Sequence, residues 1–344
     1  MNVNGGDAVQ LGLRAGLAEV ARAAGVSKMT VSRVLNDRPD VSTETRQRVL
    51  AIMEDLDFHP NRYARALKGG RSGVIGLICP ATNFYGPTQV LFGVEEAARN
   101  ANLAVIVATS SSLDSHSLQS AIARLEESSV EAIIIISPLV SSGDALRGLV
   151  SAVPTLAIWA PSDAGVVVTG MDHRTAAATA TQHLLDLGHP SVHHISGPLD
   201  WTGAEQRMLG WQTTLEAAGI VPPPVLEGDW SAAAGHEAGL QLLRDPSVSA
   251  VFTANDQMAL GLYRAAFELG RRIPDDLSVV GYDDGPDSPH YTPPLSTVHQ
   301  DFQMLGARAF HRLNRMMNGE TKPEIDPDDT PRLIIRASTA AYLR

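Results

Sequence analysis

The chain has 344 residues, 44% of them hydrophobic, a formal net charge of −11 and a single cysteine, Cys79. That length supplies an ample core and two or three folding units. One cysteine excludes a disulfide framework, a Cys-based metal site and a redox pair, and leaves Cys79 as a small buried apolar side chain. The opening stretch from Met1 to Gly25 lacks a basic start followed by an unbroken apolar run, and no later stretch is apolar enough for a bilayer span, so the expected compartment is the cytoplasm and no membrane partner is expected.

The acidic total hides an uneven distribution. Residues 1–72 carry 11 Lys and Arg against 8 Asp and Glu, whereas the rest carry 16 against 30. A small cationic module therefore precedes an acidic body. Residues 1–14 hold Gly and Asn without a sustained period and read as a flexible leader. Over 15–59 three helices are predicted. Leu17, Val20, Ala21 and Ala24 mark the dry face of the first, and Gly25 stops it. Ser27 caps the second, which carries Val31, Val34 and Leu35. The third restarts at Ser42, with Val49, Ile52, Met53 and Leu56 inward. His59-Pro60-Asn61 interrupts the pattern, and an Arg- and Ala-rich stretch with a Gly-rich end makes 60–72 a hinge.

From Val74 the pattern changes to apolar runs alternating with amphipathic stretches. The runs are Val74–Ile78, Ala104–Ala108, Ile133–Ile136, Leu156–Ile158, Val192–Ser196, Ala250–Thr253 and Ser278–Tyr282, each suited to a strand buried on both faces. Helical periods fall between them, including Glu95–Asn100, Ala176–Leu187 and Gln206–Ala217. Repeated βα units predict an α/β body over 73–344, too long for one usual core and suited to two similar lobes.

Through Ala24-Gly25-Val26-Ser27, the run Thr30 to Asn36, Thr45-Arg46 and Pro60-Asn61-Arg62, the segment from Leu17 to Gly70 resembles the head of the LacI/GalR family of repressors. Gly16 and Glu19 depart from the family's usual Thr and Asp. The resemblance implies a helix-turn-helix bound to double-stranded operator DNA, its second helix in the major groove where base edges are distinguishable. Lys28, Met29 and Arg33 would face bases. Lys and Arg can donate to guanine, and Met can meet a thymine methyl. Ser27, Thr30, Ser32, Asn36, Ser42, Thr45 and Asn61 are short polar groups suited to phosphates, although Thr30 and Ser32 would look the same on an ordinary solvated helix face. Leu17, Ala64 and Lys68 complete the implied contact set, with Leu67 either wedged into the minor groove from a hinge helix or packed against its own protein.

The remainder resembles the same family's effector core, which shares its fold with periplasmic sugar-binding proteins. The densest matches are Ala254 to Gly261, Gly281-Tyr282-Asp283-Asp284 and Pro293 to Thr297, and they look closer to the lactose-responsive branch than to the purine-sensing one. The implied architecture is two lobes of parallel sheet flanked by helices, lobe 1 about 73–172 and 300–328, lobe 2 about 173–299 and 329–344. A polyol site needs a few polar groups and an aromatic wall. Arg207 can donate in parallel to vicinal hydroxyls, Asp283 can accept two, Asn255 can do either and Trp230 can cover a sugar face. Phe84, Pro87 and Gln300 extend the implied set. Trp159 stands where the lactose-responsive branch has an acid, and Trp201 where purine-sensing members have an Arg. Those two aromatics imply either a different or larger ligand, or a closed wall.

The implied function is a transcriptional repressor released or modulated by a small sugar, a galactoside or other glycoside, without a cofactor or metal. An enzyme is the rival from another class, but the chain has no GxxxxGK[ST], HExxH, CxxC or GxSxG pattern. His189, His193 and His194 flank a strand start, where structural or solvated roles are the expectation. Asp283-Asp284 would point oppositely on a strand and so would not pair as catalytic acids. A stand-alone sugar-binding protein is the second rival, disfavoured by the missing export signal. A homodimer on one pseudo-palindromic operator is expected, with apolar faces on Thr88–Asn100 and Met258–Glu268. A leucine-heptad tether for a tetramer is not expected, because the sequence ends shortly after the apparent strand Leu333–Ile335.

Overall fold

In the computed structural model the described residues are 16–35, 38–56, 58, 71–110, 112–320 and 331–343. The chain divides into two compact units, Met1–Ser72 and Gly73–Arg344.

The first unit is built on α1 (Leu17–Ala23), α2 (Lys28–Leu35) and α3 (Thr43–Asp55). Gly25, at φ +66°, takes the left-handed turn that ends α1 and lets α2 start within a few residues. Ser27 and Ser42 cap α2 and α3 by accepting from the Thr30 and Thr45 N–H groups at 3.0 and 3.3 Å. Val20, Ala21, Ala24, Val31, Val34, Val49 and Met53 close one small core together with Phe58. Leu56, expected inward, is exposed instead, because it lies at the C-cap of α3. Phe58, two residues on, supplies the last apolar group.

The second unit is two parallel sheets with helices on both faces. Lobe 1 comprises β1 (Val74–Pro80), α4 (Tyr85–Asn100), β2 (Ala104–Ser110), α5 (Ser115–Glu127), β3 (Ile133–Ile136), α6 (Ser142–Arg147), β4 (Thr155–Ile158) and β5 (Val167–Thr169), with the sheet in the order β2-β1-β3-β4-β5. Lobe 2 follows with α7 (His173–Asp186), β6 (His193–Ser196), α8 (Thr202–Ala217), β7 (Leu226–Glu227), α9 (Ala232–Leu242), β8 (Ala250–Thr253), α10 (Asp256–Glu268), β9 (Ser278–Asp283) and β10 (Ser296–His299). The chain then returns to lobe 1 as α11 (Phe302–Met317), whose Phe302, Leu305, Ala309, Phe310 and Leu313 form one buried stripe, and ends in lobe 2 with β11 (Arg332–Ile334). The lobe 2 sheet runs β11-β10-β9-β8-β6-β7, with β11 alone antiparallel. All seven predicted runs are strands. Their buried faces on both sides follow from helices packed above and below, and the C-terminal ends of parallel strands are where sheets of this kind meet ligands.

Candidate functional site

A cleft of about 470 Å³ lies between the lobes. Its lobe 1 wall includes Phe84, Pro87, Trp159 and Phe302. Its lobe 2 wall includes His173, Trp201, Arg207, Trp230, Asn255 and Asp283. The rim is tied by two backbone hydrogen bonds of 2.7 Å, in which Val140 N–H donates to the Asp200 carbonyl and Thr202 N–H to that of Pro138.

At its centre Arg207 and Asp283 are both buried, with Nη2 3.9 Å from Oδ1. That separation attracts but is too long for a hydrogen bond. The guanidinium lies 3.9 Å over the Tyr282 ring and 5.5 Å from the Trp230 ring, and donates through Nη1 to the Ala254 carbonyl. Gln300 is not on the wall. It stands behind Asp283 and donates from Nε2 to Oδ1 at 2.6 Å. Burial pushes the Asp283 carboxyl up to about 7, with Asp256 adding to the rise and Arg207 and Gln300 opposing it. His173, whose Nδ1 is 3.2 Å from the Tyr282 hydroxyl, is driven well below the usual histidine range by burial and by Arg207, so it is a neutral member of the wall. Nothing in its sequence surroundings marked it, since its partner lies 109 positions away.

Asn255 is already engaged. Its Oδ1 accepts from the Met258 N–H at 2.8 Å to cap α10, and its Nδ2 donates to the Trp230 carbonyl and to Gln257, both at 3.0 Å. Trp230 rests on Gly197, where an added Cβ would lie 2.2 Å from the indole, so only glycine fits beneath it. The adjacent acids diverge as expected. Asp284 turns away to Arg336 at 2.7 Å and His299 at 3.1 Å. His194 is packed between Phe252 and Trp211 and His189 bonds Ser249, both structural placements.

In the head, α2 presents Lys28, Met29 and Arg33 outward, Met29 at 67% exposure. Arg33 Nε pairs with Asp40 at 3.3 Å. Ser27 and Thr30 share a hydroxyl contact at 2.9 Å, and so do Ser42 and Thr45. Each pair sits at a helix N-terminus, where free N–H groups favour anions. Ser32 is half-buried on α2. Leu17 packs its side chain on the head core, and its N–H stands at the first residue of α1, where a helix has no intrahelical acceptor to offer. Asn36, Asn61, Ala64, Leu67 and Lys68 lie outside the described residues. Among the described residues no helix is long and apolar enough to cross a membrane.

A helix-turn-helix head joined in sequence to a two-lobed binding core defines a ligand-responsive, DNA-binding transcriptional repressor. Two family models match the chain: bacterial regulatory proteins of the lacI family over residues 16–61, and a periplasmic binding protein-like domain over residues 181–339. The lactose operon repressor of Escherichia coli (strain K12) is 36% identical over 306 residues, which cover 88% of this chain and 85% of that protein. The ribose operon repressor of the same strain is 31% identical over 329 residues, covering 94% and 99%. A crystal structure of the lac repressor dimer bound to operator and the anti-inducer ONPF shares 34% identity and a TM-score of 0.86, over 96% of this chain and all of that one. The chain belongs to the lacI family of bacterial regulatory proteins. These relatives are repressors rather than enzymes.

Proposed function

We propose that this repressor acts in the cytoplasm as a homodimer on a pseudo-palindromic operator, and that a small sugar, a galactoside or other glycoside, bound between the lobes releases or modulates it. The observation that supports this best is the buried Arg207–Asp283 pair under Trp230. Its 3.9 Å gap leaves a donor and an acceptor that adjacent hydroxyls can bridge. Arg207, Asp283, Trp230 and Asn255 are the proposed ligand contacts, with Phe84, Pro87 and Trp159 on the wall and Gln300 positioning Asp283. Lys28, Met29 and Arg33 are the proposed base readers. Ser27, Thr30, Ser32, Ser42, Thr45 and the N–H of Leu17 are the proposed phosphate contacts. Lactose and ribose operon repressors among the relatives support a carbohydrate effector. Exposed Phe92 on α4 and Leu260 and Phe267 on α10 support pairing through those helices.

The test is a thermal-shift screen with mono- and disaccharides, followed by gel shifts on operator DNA with and without the hits. A ligand at a hundred times its Kd should add about 2.7 kcal/mol of stability. Arg207→Ala should still retain operator but lose the response. Ligand binding without any DNA retention would instead identify a stand-alone sugar-binding protein.

A further inference from the structure

The walls of the cleft carry an inference that rests on the carbohydrate reading above and narrows it. The aromatic side chains fall into two groups. In lobe 1, Trp159 meets Phe302 edge-to-face with centroids 6.0 Å apart, and Phe302 meets Tyr85 at 5.7 Å. Opposite, Trp230 meets Trp201 at 5.5 Å and Trp201 meets Phe84 at 5.6 Å. The first group is continuous with the lobe 1 core, and the second joins the lobe 2 core and takes in Phe84 from lobe 1.

Core packing accounts for aromatic bulk but not for how these two tryptophans are held. Trp159 has φ +65° and Trp230 φ +73°, left-handed conformations that bulky residues avoid and that persist at ligand clamps. The indole Nε1 of each is buried with no hydrogen-bond partner among the described residues. Both nitrogens face away from the cleft, so what each tryptophan offers a ligand is its ring, one on each wall. Among the described residues, Arg207 and Asp283 are the only acidic or basic side chains lining the cleft besides His173. An anionic group would face Asp283 and a cationic one Arg207, so neither has an uncompensated partner. The volume is within the roughly 300–1,000 Å³ that encloses a drug-sized ligand.

We propose that the effector is an uncharged two-ring glycoside, with one ring stacked on Trp230 and bonded by Arg207 and Asp283, and the second seated against Trp159 and Phe302. Trp159 is then the residue that selects for the second ring. That ring can be a second sugar or an aryl aglycone, since both present an apolar face to an aromatic wall.

Isothermal titration of the full-length protein tests this with galactose and glucose, lactose and cellobiose, the p-nitrophenyl β-glycosides of both hexoses, and both hexose 6-phosphates. At least one two-ring compound should bind about tenfold or more tightly than its single-ring parent, the effect of one aromatic contact. The disaccharide and aryl arms identify which second ring is taken, and the 6-phosphates should bind no better than the parent hexoses. Trp159→Ala should collapse the two-ring to one-ring ratio toward one, while Trp230→Ala weakens both compounds and keeps the ratio. Equal binding of parent and two-ring compounds by wild-type protein, a ratio that survives Trp159→Ala, or tighter binding of a phosphorylated sugar would overturn the proposal while leaving the carbohydrate reading in place. Failure of every sugar to bind at millimolar concentration would defeat both. Should Trp159→Ala not fold, Trp159→Leu and the wild-type ratios decide the question.

Discussion

The buried Asp283 makes effector affinity depend on pH in a direction that can be worked out. Sugar hydroxyls donate to a carboxylate, so the proposed bound form carries ionised Asp283. Burial first, then Asp256, lifts its carboxyl from 3.8 to about 7 against the opposing effects of Arg207 and Gln300. The free protein is then competent in only a fraction of molecules, about nine in ten at pH 8, half at pH 7 and one in ten at pH 6, and the apparent Kd rises as that fraction falls. Affinity should therefore weaken about tenfold between pH 8 and pH 6, or about 1.4 kcal/mol. Because the folded pKa is raised, the stability this group contributes to the free protein is fully present below the unfolded value of 3.8 and is lost as pH rises through about 7. Ligand binding at pH 7 should release roughly half a proton. Titration calorimetry in two buffers of different ionisation enthalpy measures both the slope and the proton. A flat affinity from pH 8 to 6 would refute the reasoning, as would an Asp283→Asn protein that keeps the wild-type slope.

Three further outcomes follow from other parts of the molecule. Arg33→Ala should reduce operator affinity by about 1–3 kcal/mol and relax discrimination at one base pair, read by gel shifts on singly substituted operators; an unchanged footprint would remove Arg33 from the base-reading set. Phe267, 77% exposed on α10, should lie in the dimer contact, so Phe267→Asp should shift the mass seen by light scattering from dimer toward monomer without altering the fold. His194 is held to about 4 by burial despite its 2.9 Å contact with the Phe252 carbonyl. Its depressed pKa contributes stability that is present above 6.5 and lost as pH falls through 4, about 3 kcal/mol in all. Wild type should lose that much more than His194→Phe between pH 7 and pH 4 in urea unfolding; parallel losses would contradict it.

The strands that were legible in the sequence are those whose burial is purely apolar, such as β3 with its four isoleucines. Three others left no such run. β5 and β7 are short edge strands of 3 and 2 residues. β10 is buried yet reads Ser-Thr-Val-His, because its polar groups are satisfied from elsewhere: Thr297 Oγ1 donates to Asp256 at 2.6 Å, and Ser296 N–H to Ser338 Oγ at 2.7 Å. Hydropathy has no means of seeing a partner 41 or 42 residues away. The cleft was legible to the same extent. Seven of the eight expected ligand residues line it and the eighth, Gln300, supports one of them, whereas His173 and Phe302 owe their places to crossings between lobes that local pattern does not report. Both large departures from the family pattern, Trp159 and Trp201, are on the wall.

Where those crossings fall bears on how a bound ligand can act on the core. The chain passes between lobes just before His173, again between His299 and Phe302, and a third time between Met317 and Arg332. His173 and Phe302 line the cleft, and Gln300 bonds the Asp283 carboxylate. The strained groups are tied to the same neighbourhood. Trp159 N–H donates to the Thr169 carbonyl at 2.9 Å, immediately before the first crossing, and the Trp230 carbonyl accepts from Asn255 at 3.0 Å. Asp283, at φ +109°, ends the strand that pairs with β10, which itself runs into the second crossing. A ligand in this cleft would therefore meet two of the connections between the lobes, and not only the lobes they connect. Asp283 and Trp159 are each hydrogen-bonded to a residue close to a crossing, Gln300 and Thr169, so the path from the cleft to either connection is a single contact.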